Sequence, residues 1–468
     1  MSAVASPLPA PVIVGAGPAG IRAAEILVKA GLRPVVLDEG MRSGGQIYRR
    51  PPIDDRRSYR SRYGSEAHKA KALHTTFDTL RGSIDYRPET LVWNISRNDG
   101  DHLDLLTDGV HDQLPYSHLI LATGATDRVL PFKGWTKPGV YTLGASQTAL
   151  KAQGCIVGER VVFMGSGPLL YLVAWQYHHA GAKVGTVLDT APFTAKFHLA
   201  HLALHAPRIV ALGAYYGLRL KLAGVPIHYD VRPDSVLGDG HVEGLRYRTG
   251  KSEREVACDA LAYGFALRPE TQLADLAGCD FRFEDRDRAW LPMTDKLGRT
   301  SRIGVYVAGD GAGIAGADAA EIRGQLAAIA LLRDLGLPFD SGTEQRLIRK
   351  LDGIYRERLI LEKAFPFPLD WFETVASDVT LCRCEEISLG EARDVIGAGD
   401  TQEINRLKAL SRVGMGRCQG RMCSAAAAEL LAFARDKTPA EGGRIRAQAP
   451  VKPIPLGFGA AAREDVSS

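Results

Sequence analysis

The opening of the chain alternates short apolar runs with an amphipathic stretch. Residues 12–14 and 35–37 are runs of valine, isoleucine and leucine, and residues 21–29 between them repeat apolar positions at helical spacing. Small residues separate the first run from the helical stretch, and an acidic pair follows the second run. Apolar runs joined through an amphipathic helix are typical of a parallel βαβ unit. The first 40 residues therefore predict a strand, a turn, a helix and a second strand.

Further apolar runs predict the rest of an α/β fold. Residues 119–121 and 305–307 have buried-strand patterns, and residues 161–170 repeat the strand, glycine turn and helix start of the opening. Residues 84–120 indicate a small antiparallel excursion. Helical patterns cover residues 54–80, 198–222 and 319–332. The repeat predicts that the chain is duplicated at the level of nucleotide-binding folds.

Composition and charge narrow the class of protein. At 468 residues the chain is long enough for about three domains. The formal net charge of +4 is small for this length, so it gives no argument for nucleic-acid binding. Residues 1–10 carry no basic stretch, and no apolar run approaches the roughly 18 residues of a membrane span. We therefore expect a cytoplasmic protein without an integral membrane segment.

The turn after the first apolar run carries a dinucleotide-binding fingerprint. Gly15 permits the tight turn, Gly17 lets the backbone approach a pyrophosphate, and Gly20 lets the helix lie close to the sheet. The free N–H groups at the helix start, around Ala19, would face the phosphates. Because the whole βαβ context is present, a dinucleotide site is favoured over a purely structural glycine turn.

An acidic pair and a glycine-rich loop follow the second apolar run. Asp38, with Glu39 beside it, is predicted to accept a ribose hydroxyl, because an acid about 20 residues after the glycine turn takes that role. The next loop contains Gly45, Gln46 and Arg49. Its glycines would let the backbone come close to a flavin, with Gln46 as a polar contact. An ordinary surface loop is the alternative, and the position directly after the ribose acid favours the flavin contact.

Two further strand ends indicate which dinucleotide is bound. One apolar run ends in Ala122-Thr123-Gly124, and another ends in Gly309-Asp310. With the opening turn, these motifs resemble the flavoproteins with two dinucleotide-binding domains, of the glutathione- and thioredoxin-reductase type. The resemblance implies that Thr123 and Gly124 lie near the adenine half and that Asp310 binds the ribityl chain and pyrophosphate. It implies FAD as the cofactor.

The second nucleotide fold departs from the first. Gly165 and Gly167 repeat the glycine turn, but Leu170 occupies the third glycine position, which weakens close helix packing. Asp189 stands where a ribose acid is expected, and no arginine cluster follows, which disfavours NADP. Helical residues continue where a working nicotinamide site would have short strands. A degenerate fold that holds an adenine nucleotide (ATP or NAD) or nothing is slightly favoured over a working NAD site.

Isolated histidines and cysteines favour structural roles. His198, His201 and His205 share a helical face and could bind a metal, but no carboxylate or cysteine joins them, so a surface or partner-facing role is preferred. Three single cysteines among apolar residues are expected in the core, namely Cys155, Cys258 and Cys279. The flavin and nucleotide folds contain no Cys-x-x-Cys pair, which excludes disulfide reductase chemistry.

Four cysteines gather near the C-terminus in two pairs, Cys382 with Cys384 and Cys418 with Cys423. A Cys-x-Cys pair is cramped for tetrahedral zinc, whose paired ligands usually lie two to four residues apart. It fits two thiolates on one iron of a sulfide-bridged cluster. A [2Fe–2S] cluster is therefore favoured, with zinc as the main alternative. Three arginines would offset its negative charge, namely Arg383, Arg417 and Arg421.

The segment around these cysteines predicts a small helical module. Ser388 and Glu391 form a capping-box pattern, and residues 400–401 and Ser424 are predicted to open two more helices. The spacing resembles the bacterioferritin-associated-ferredoxin-like [2Fe–2S] domain. The gap between Cys418 and Cys423 is longer than the two-residue gap common in that domain.

These predictions divide the chain into six parts. An FAD-binding domain is formed by residues 1–135 and 265–335, with a second, degenerate dinucleotide-binding domain inserted at 136–264. A helical linker at 336–375 ends in a stiff proline-rich stretch and leads to the [2Fe–2S] domain at 376–436. Residues 437–468 form an extended tail, whose proline-rich strip is suited to lying on a partner.

The order of these parts resembles one family over nearly the whole chain. The segments that carry the resemblance are 44–49, 134–135, 138–140, 308–310 and 418–423. They resemble the FAD- and [2Fe–2S]-containing alpha (A) subunit of hetero-oligomeric amino-acid and opine dehydrogenases. That group includes the A subunits of opine (octopine, nopaline) oxidases, one of the subunits of hydrogen cyanide synthase, and the alpha subunits of proline and hydroxyproline dehydrogenases.

The resemblance implies an electron-transfer subunit within a higher heteromer. A beta subunit with its own FAD would oxidise a secondary amine such as an opine, proline or hydroxyproline, and an FMN could be shared between the subunits. Electrons would pass among the flavin and the cluster toward an acceptor. The sequence does not identify this acceptor, which could hold the protein at the inner membrane. The sequence offers no nucleophile–base constellation, so no catalytic residue is nominated.

Two other classes of function are weighed against this one. The first is a self-contained NADH-dependent flavin reductase that hands electrons to a ferredoxin-like acceptor, and Leu170 and the missing NADP arginines argue against it. The second is a silent scaffold that binds FAD structurally. The four clustered cysteines argue against a scaffold, because a structural role does not need a redox cluster.

Overall fold

The computed structural model describes residues 10–52, 54–97 and 100–455. Its strands are β1 (Val12–Val14), β2 (Val35–Leu37), β3 (Asp85–Arg87), β4 (Thr90–Ser96), β5 (His102–Thr107), β6 (Val110–Pro115), β7 (Leu119–Leu121), β8 (Ala125–Asp127), β9 (Val140–Thr142), β10 (Arg160–Ser166), β11 (Lys183–Asp189), β12 (Ile227–His228), β13 (Val231–Leu237), β14 (Gly244–Thr249), β15 (Ser252–Ala257), β16 (Ala260–Phe265), β17 (Leu267–Pro269), β18 (Phe281–Glu284), β19 (Ala289–Pro292), β20 (Val305–Val307), β21 (Thr380–Cys382) and β22 (Ile387–Ser388).

The helices are α1 (Pro18–Lys29), α2 (Tyr59–Tyr63), α3 (Ala67–Leu80), α4 (Leu143–Thr148), α5 (Pro168–His179), α6 (His198–His205), α7 (Pro207–Leu222), α8 (Gln272–Leu276), α9 (Ala317–Asp334), α10 (Ser341–Lys363), α11 (Trp371–Thr374), α12 (Leu389–Gly397), α13 (Ile404–Ser411) and α14 (Ser424–Ala434).

The first domain is built on a five-stranded sheet in the order β20-β7-β1-β2-β3, and every pairing in it is parallel. Strands β1, β2, β7 and β20 are buried, as expected for a sheet covered on both faces. Helices α1 and α9 belong to the core on one face, and the antiparallel sheet β4-β5-β6 belongs to the core on the other. The predicted antiparallel excursion is confirmed.

Glycines allow α1 and α9 to approach the sheet and each other. A Cβ on Gly20 would lie 1.8 Å from the backbone oxygen of Gly15, and a Cβ on Gly324 would lie 2.0 Å from the backbone oxygen of Ala19. Any larger residue would push α1 away from the turn or α9 away from α1. The glycine fingerprint therefore sets the packing of this domain as well as its turn.

The second domain repeats the parallel sheet, in the order β12-β11-β10-β16-β9. An antiparallel sheet, β13-β14-β15, is attached to it. The helical stretch predicted at 198–222 is confirmed but is split into α6 and α7. Pro207 starts α7, and Ala206 before it has φ −138° and ψ 63°, because a residue preceding proline is forced out of the helical region.

The C-terminal module consists of β21, β22 and the helices α11 to α14. The predicted capping box is confirmed, because Ser388 accepts from Glu391 N at 3.1 Å and Glu391 accepts from Ser388 N at 2.7 Å. The start predicted for the next helix at 400–401 is wrong. Glu403 caps α13 instead, while Thr401 donates to Val395 O at 3.0 Å and closes the preceding helix. Helix α14 begins at Ser424, as predicted.

The described part of the tail packs against the first domain of this chain, and its expected contact with a partner stays a prediction. Arg444 forms an ion pair with Asp275, and Ala447 N donates to the same carboxylate at 2.7 Å. Val451 is buried among residues of the first domain, and its N–H donates to Trp93 O at 3.0 Å. The expectation for residues 456–468 lies outside the described residues. Within the described part of the chain, no helix is long and apolar enough to cross a membrane.

Candidate functional site

The glycine turn after β1 forms an open cradle at the start of α1. Gly15 has φ +105°, and a Cβ there would lie 2.4 Å from the backbone oxygen of Ala122, so only glycine fits. Gly17 is the N-cap of α1, Pro18 occupies the first turn, and no side chain caps the helix start. Helix N–H groups without a side-chain cap are suited to binding phosphate oxygens.

Three loops from distant parts of the chain converge on this cradle. A Cβ on Gly45 would lie 2.8 Å from Gly17 Cα, so the glycine-rich loop after β2 touches the first turn. Gln46 Nε2 lies 3.4 Å from Ala125 O, which joins that loop to the strand end at 122–125. A Cβ on Gly311 would lie 3.2 Å from Thr123 Oγ1, which places the strand end at 309–311 beside it.

The two acids after β2 have different surroundings. Asp38 accepts backbone N–H groups from Ala16 at 2.5 Å and Gly40 at 2.7 Å, and burial raises the pKa of its carboxyl group. Its side chain therefore holds the glycine turn to the end of β2. Glu39 is more exposed and contacts Lys452 of the tail. The expected ribose contact of Asp38 stays a prediction, and Glu39 is the acid with the freer carboxylate.

Asp310 and its neighbours line the opposite side of the cradle. Burial raises the pKa of the Asp310 carboxyl group, which accepts Ala315 N at 3.1 Å. Arg323 is buried beside it and donates to Gly309 O at 2.8 Å. Ser43 Oγ and Arg49 Nε are buried without a hydrogen-bond partner among the described residues. Buried polar atoms of this kind are normally satisfied, so these atoms fit a polar ligand such as FAD.

The second glycine turn also approaches its neighbouring strand. A Cβ on Gly165, at φ +141°, would lie 1.9 Å from Gly264 O, whereas Gly167, at φ +116°, has open space around it. Ser166 Oγ and Thr190 Oγ1 are buried without a partner in the described residues. Leu170, at the third glycine position, is fully buried in the core of this domain.

The environment of Asp189 does not support its expected contact with a ribose. The side chain is fully buried, and its carboxylate accepts from Tyr171 Oη at 2.6 Å and Ala191 N at 2.9 Å. Lys196 Nζ lies 2.8 Å away and neutralises the charge. Three donors from this chain therefore occupy the carboxylate that a nucleotide would need.

The four C-terminal cysteines come together as two hydrogen-bonded pairs that cross between the loops. The hydrogen bond with Cys423 lowers the pKa of the Cys382 thiol to about 5 and raises that of Cys423, and Cys384 hydrogen-bonds with Cys418. No three His, Cys, Asp or Glu side chains in the described residues converge on a single-ion position. These pairs differ from the predicted one, in which Cys382 and Cys384 share one iron, because folding sets sulfurs of different loops side by side. Two pairs of sulfurs fit two irons better than one zinc ion.

Backbone groups around the sulfurs also fit a cluster. Backbone N–H groups of Cys384, Glu385 and Gly414 hydrogen-bond to the Cys382 sulfur. A Cβ on Gly416 would lie 2.4 Å from Cys384 Cβ, so glycine is needed for the second loop to reach the first. Hydrogen bonds to ligand sulfurs stabilise thiolates and tune cluster potentials. The site therefore has the donors that a [2Fe–2S] cluster requires.

One of the three arginines predicted to offset the negative charge of the cluster forms an ion pair with another residue. Arg421 forms an ion pair with Glu270 at 3.0 Å, so its charge is already balanced. Arg268, which no sequence motif singled out, interacts electrostatically with Cys418 and Cys423. No local pattern marks Arg268, because it lies 156 residues before Ser424, its nearest partner in the cluster loop.

The remaining candidates are distributed over the surface and core. His198, His201 and His205 are exposed, in agreement with the preferred surface role. Cys258 and Cys279 are buried as predicted. The core position predicted for Cys155 is wrong. It is exposed in the turn after the helical residues 149–153, where its thiol lies 3.7 Å from Ala149 O.

Known families match most of the chain. Residues 10–329 match the pyridine nucleotide-disulphide oxidoreductase family, and residues 380–432 match the BFD-like [2Fe-2S] binding domain. The first match implies FAD, and the second implies a [2Fe–2S] cluster. Together they confirm the predicted fold class, a two-dinucleotide-binding-domain flavoprotein with a small [2Fe–2S] domain.

Solved structures show the same fold. L-proline dehydrogenase from P. horikoshii aligns with a TM-score of 0.71 and 20% identity, over 96% of this chain and 79% of that one. Thioredoxin reductase from T. acidophilum aligns with a TM-score of 0.51 and 23% identity, over 69% of this chain and 97% of that one.

Sequence relatives extend over nearly the full length. The A subunit of opine oxidase from Agrobacterium tumefaciens (strain Ach5) is 38% identical over 464 residues, which cover 95% of this chain and 90% of that protein. Hydrogen cyanide synthase subunit HcnB from Pseudomonas aeruginosa is 33% identical over 462 residues, which cover 95% and 97%. The chain therefore belongs to the pyridine nucleotide-disulphide oxidoreductase family and, within it, to the group that contains HcnB and the A subunits of opine oxidases.

Proposed function

We propose that this chain is an electron-transfer subunit that holds FAD and a [2Fe–2S] cluster and works with a partner subunit. The observation that carries the proposal is that one short strand, β17, touches both candidate cofactor sites. Leu267, Arg268 and Pro269 pair with Asp127, Thr126 and Ala125 of β8 at the flavin side. The same strand reaches the cluster loop through Arg268. Two redox sites joined within one chain suit electron relay.

On this proposal the residues of the chain bind and orient the cofactors. Gly15, Gly17 and the start of α1 would bind the pyrophosphate, and Asp310 would bind the ribityl side. Glu39 is the better candidate for the ribose, because Asp38 is used to hold the turn. The second site would use Cys382, Cys384, Cys418 and Cys423 as ligands. FAD supplies two-electron chemistry when bound, and the cluster supplies single-electron steps.

The source of the electrons is assigned to a partner subunit. The relatives are named as subunits of opine oxidase and of hydrogen cyanide synthase. The donor is a secondary amine, an opine or an imino acid such as proline, oxidised on a beta flavoprotein. The glycine turn and the three loops around it bring together glycines, carboxylates and arginines, which are groups suited to binding FAD. No step of amine oxidation is assigned to a residue of this chain.

The test is to purify the chain alone and together with the flavoprotein encoded beside it. FAD, iron and acid-labile sulfide are then measured, followed by dye reduction with octopine, nopaline, proline and hydroxyproline. We expect FAD and two irons per chain, with amine-dependent dye reduction by the complex only. Amine oxidation by this chain alone, or a chain that binds neither FAD nor iron, would refute the proposal.

A nucleotide at the second glycine turn is the second candidate. The observation that favours it is the pair of unpartnered buried hydroxyls, Ser166 and Thr190, beside the open space at Gly167. If the nucleotide is NADH, the chain is a flavin reductase in its own right. An adenine nucleotide that does not react leaves the electron-transfer proposal intact. Calorimetric titration with ATP and NADH, with flavin absorbance followed in parallel, separates these outcomes.

A further inference from the structure

Strand β17 and the residues after it are tied to the flavin-side loop by a continuous set of hydrogen bonds. Thr123 Oγ1 donates to Glu270 O at 2.6 Å, and Glu270 N donates to Gly124 O at 3.0 Å. Arg268 Nε donates to Thr126 Oγ1 at 3.1 Å. The segment 267–272 is therefore attached to the loop that faces the cradle by both backbone and side-chain hydrogen bonds.

The same segment is tied to the cluster loop on its other side. Arg268 Nη1 donates to Ser424 Oγ at 3.1 Å, and Ser424 directly follows the ligand candidate Cys423. Gln272 Nε2 donates to Gln419 O at 2.9 Å, next to Cys418. Arg268 alone bonds with both loops through its own side chain, so one guanidinium spans the gap between the two sites.

One carboxylate, Glu270, lies near both Arg268 and Arg421, so these three groups keep a net positive charge. The hydrogen bonds of Arg268 go to two hydroxyl groups, and none of the ion pairs among the described residues includes it. The carboxylate of Glu270 is paired with Arg421. A sequestered net positive charge is unfavourable unless another negative charge is supplied. Besides Glu270 and Arg421, Arg268 interacts electrostatically with Cys418 and Cys423, whose thiols become anionic when they bind iron, and its bond to Ser424 Oγ holds it beside Cys423.

We propose that Arg268 is a positioning residue that sets the reduction potential of the cluster and fixes the cluster loop against the flavin loop. The inference rests on the proposed function. A bound cluster would gain one negative charge on accepting one electron from reduced flavin. Arg268 forms and breaks no bond in this step and keeps its proton. Its positive charge stabilises the reduced cluster more than the oxidised one, so electrons are drawn from flavin to cluster.

The experiment compares the full-length chain, loaded with FAD and cluster, with three variants. Arg268→Met removes the charge, Arg268→Lys keeps it, and Arg288→Met is the matched control. Arg288 also anchors the module, through two hydrogen bonds to Glu429 of α14 at 2.7 and 2.6 Å, but that charge is already balanced. The readout is the cluster midpoint potential, obtained by redox titration with detection of the reduced cluster by electron paramagnetic resonance.

We expect Arg268→Met to shift the cluster midpoint to a more negative value. The equilibrium constant for transfer from flavin to cluster should fall at least about tenfold, which is the effect of one charge about 12 Å away at an effective dielectric constant of about 20. Arg268→Lys should restore most of the midpoint, and Arg288→Met should leave it unchanged. An unchanged midpoint in Arg268→Met, or an equal shift in Arg288→Met, overturns the inference.

If Arg268→Met loses the cluster, its midpoint potential cannot be measured, and a further variant takes its place. Arg268→Gln keeps hydrogen-bond donors without the charge, and its midpoint is then measured in the same way. A wild-type midpoint in Arg268→Gln overturns the inference, and a negative shift supports it. If the wild-type chain shows no cluster signal, the proposed function itself is refuted. This result is distinct from an unchanged midpoint, which refutes only the role of Arg268.

Discussion

Replacing Gly20 with alanine should separate α1 from the glycine turn and weaken FAD binding. The new Cβ would lie 1.8 Å from Gly15 O, whereas ordinary contacts begin at 3.4 Å. The helix start or the turn must therefore move by about 1.6 Å, the difference between these distances. The turn cannot easily give way, because Gly15 is itself packed against Ala122 O.

The size of the effect follows from two costs. Overpacking of this kind destabilises a protein by about 1–3 kcal/mol. Each hydrogen bond between a helix N–H and a charged phosphate contributes about 1.5–3 kcal/mol, and part of this is lost when the helix start moves. Since about 1.4 kcal/mol corresponds to a tenfold change in affinity, Gly20→Ala should weaken FAD binding by about tenfold to a hundredfold.

The assay is FAD affinity, from quenching of flavin fluorescence on the apoprotein, together with the free energy of unfolding in urea. Gly213→Ala is the matched control, because that glycine lies on exposed α7 with nothing within 4 Å of its Cβ position. The control should bind FAD normally and gain about 0.5–1 kcal/mol from helix propensity. Wild-type FAD affinity in Gly20→Ala would refute the assigned role of the close approach between helix and turn.

Three further variants test other sites in the chain. Asp310→Ala should lower FAD occupancy of the purified chain, because it removes a carboxylate from the cradle; full occupancy would mean that the flavin lies elsewhere. Cys418→Ser should abolish cluster absorbance and dye-linked activity of the complex while leaving FAD bound, and retained activity without a cluster would rule out the relay. Burial lowers the pKa of Lys151 to about 7, so between about pH 7 and 10.5 the unfolded chain binds more protons and stability rises with pH. Lys151→Met should flatten that rise in urea unfolding curves measured across this range, and an unchanged slope would contradict the assignment to Lys151.

Local sequence patterns predicted the elements that depend on local chemistry. The opening βαβ unit, the antiparallel excursion and the capping box at Ser388 each follow from residues close together in the chain. The break between α6 and α7 was also encoded locally, by Pro207, and was missed because the apolar spacing continues across it. Periodicity alone does not register a change of backbone direction at a single residue.

Contacts between distant segments could not be predicted in this way. Asp38 bonds with the glycine turn and with Gly40, which a motif for a ribose acid does not reveal. Asp189 forms an ion pair with Lys196 and accepts a hydrogen bond from Tyr171, contacts that result from packing of the second domain. The tail was expected to be extended and suited to lying on a partner because it is rich in proline, and its attachment to the first domain through Arg444 and Val451 was not predicted. Only the folded chain brings such partners together.

On the proposed function, this chain relays electrons and does not collect them from NADH or from an amine by itself. The most direct measurement mixes the loaded chain with NADH, and separately with an opine or proline, in an anaerobic stopped-flow instrument that follows flavin and cluster absorbance. We expect no bleaching by either donor until the partner flavoprotein is added, when the amine alone reduces both centres. Bleaching of the flavin by NADH in the isolated chain would contradict the relay.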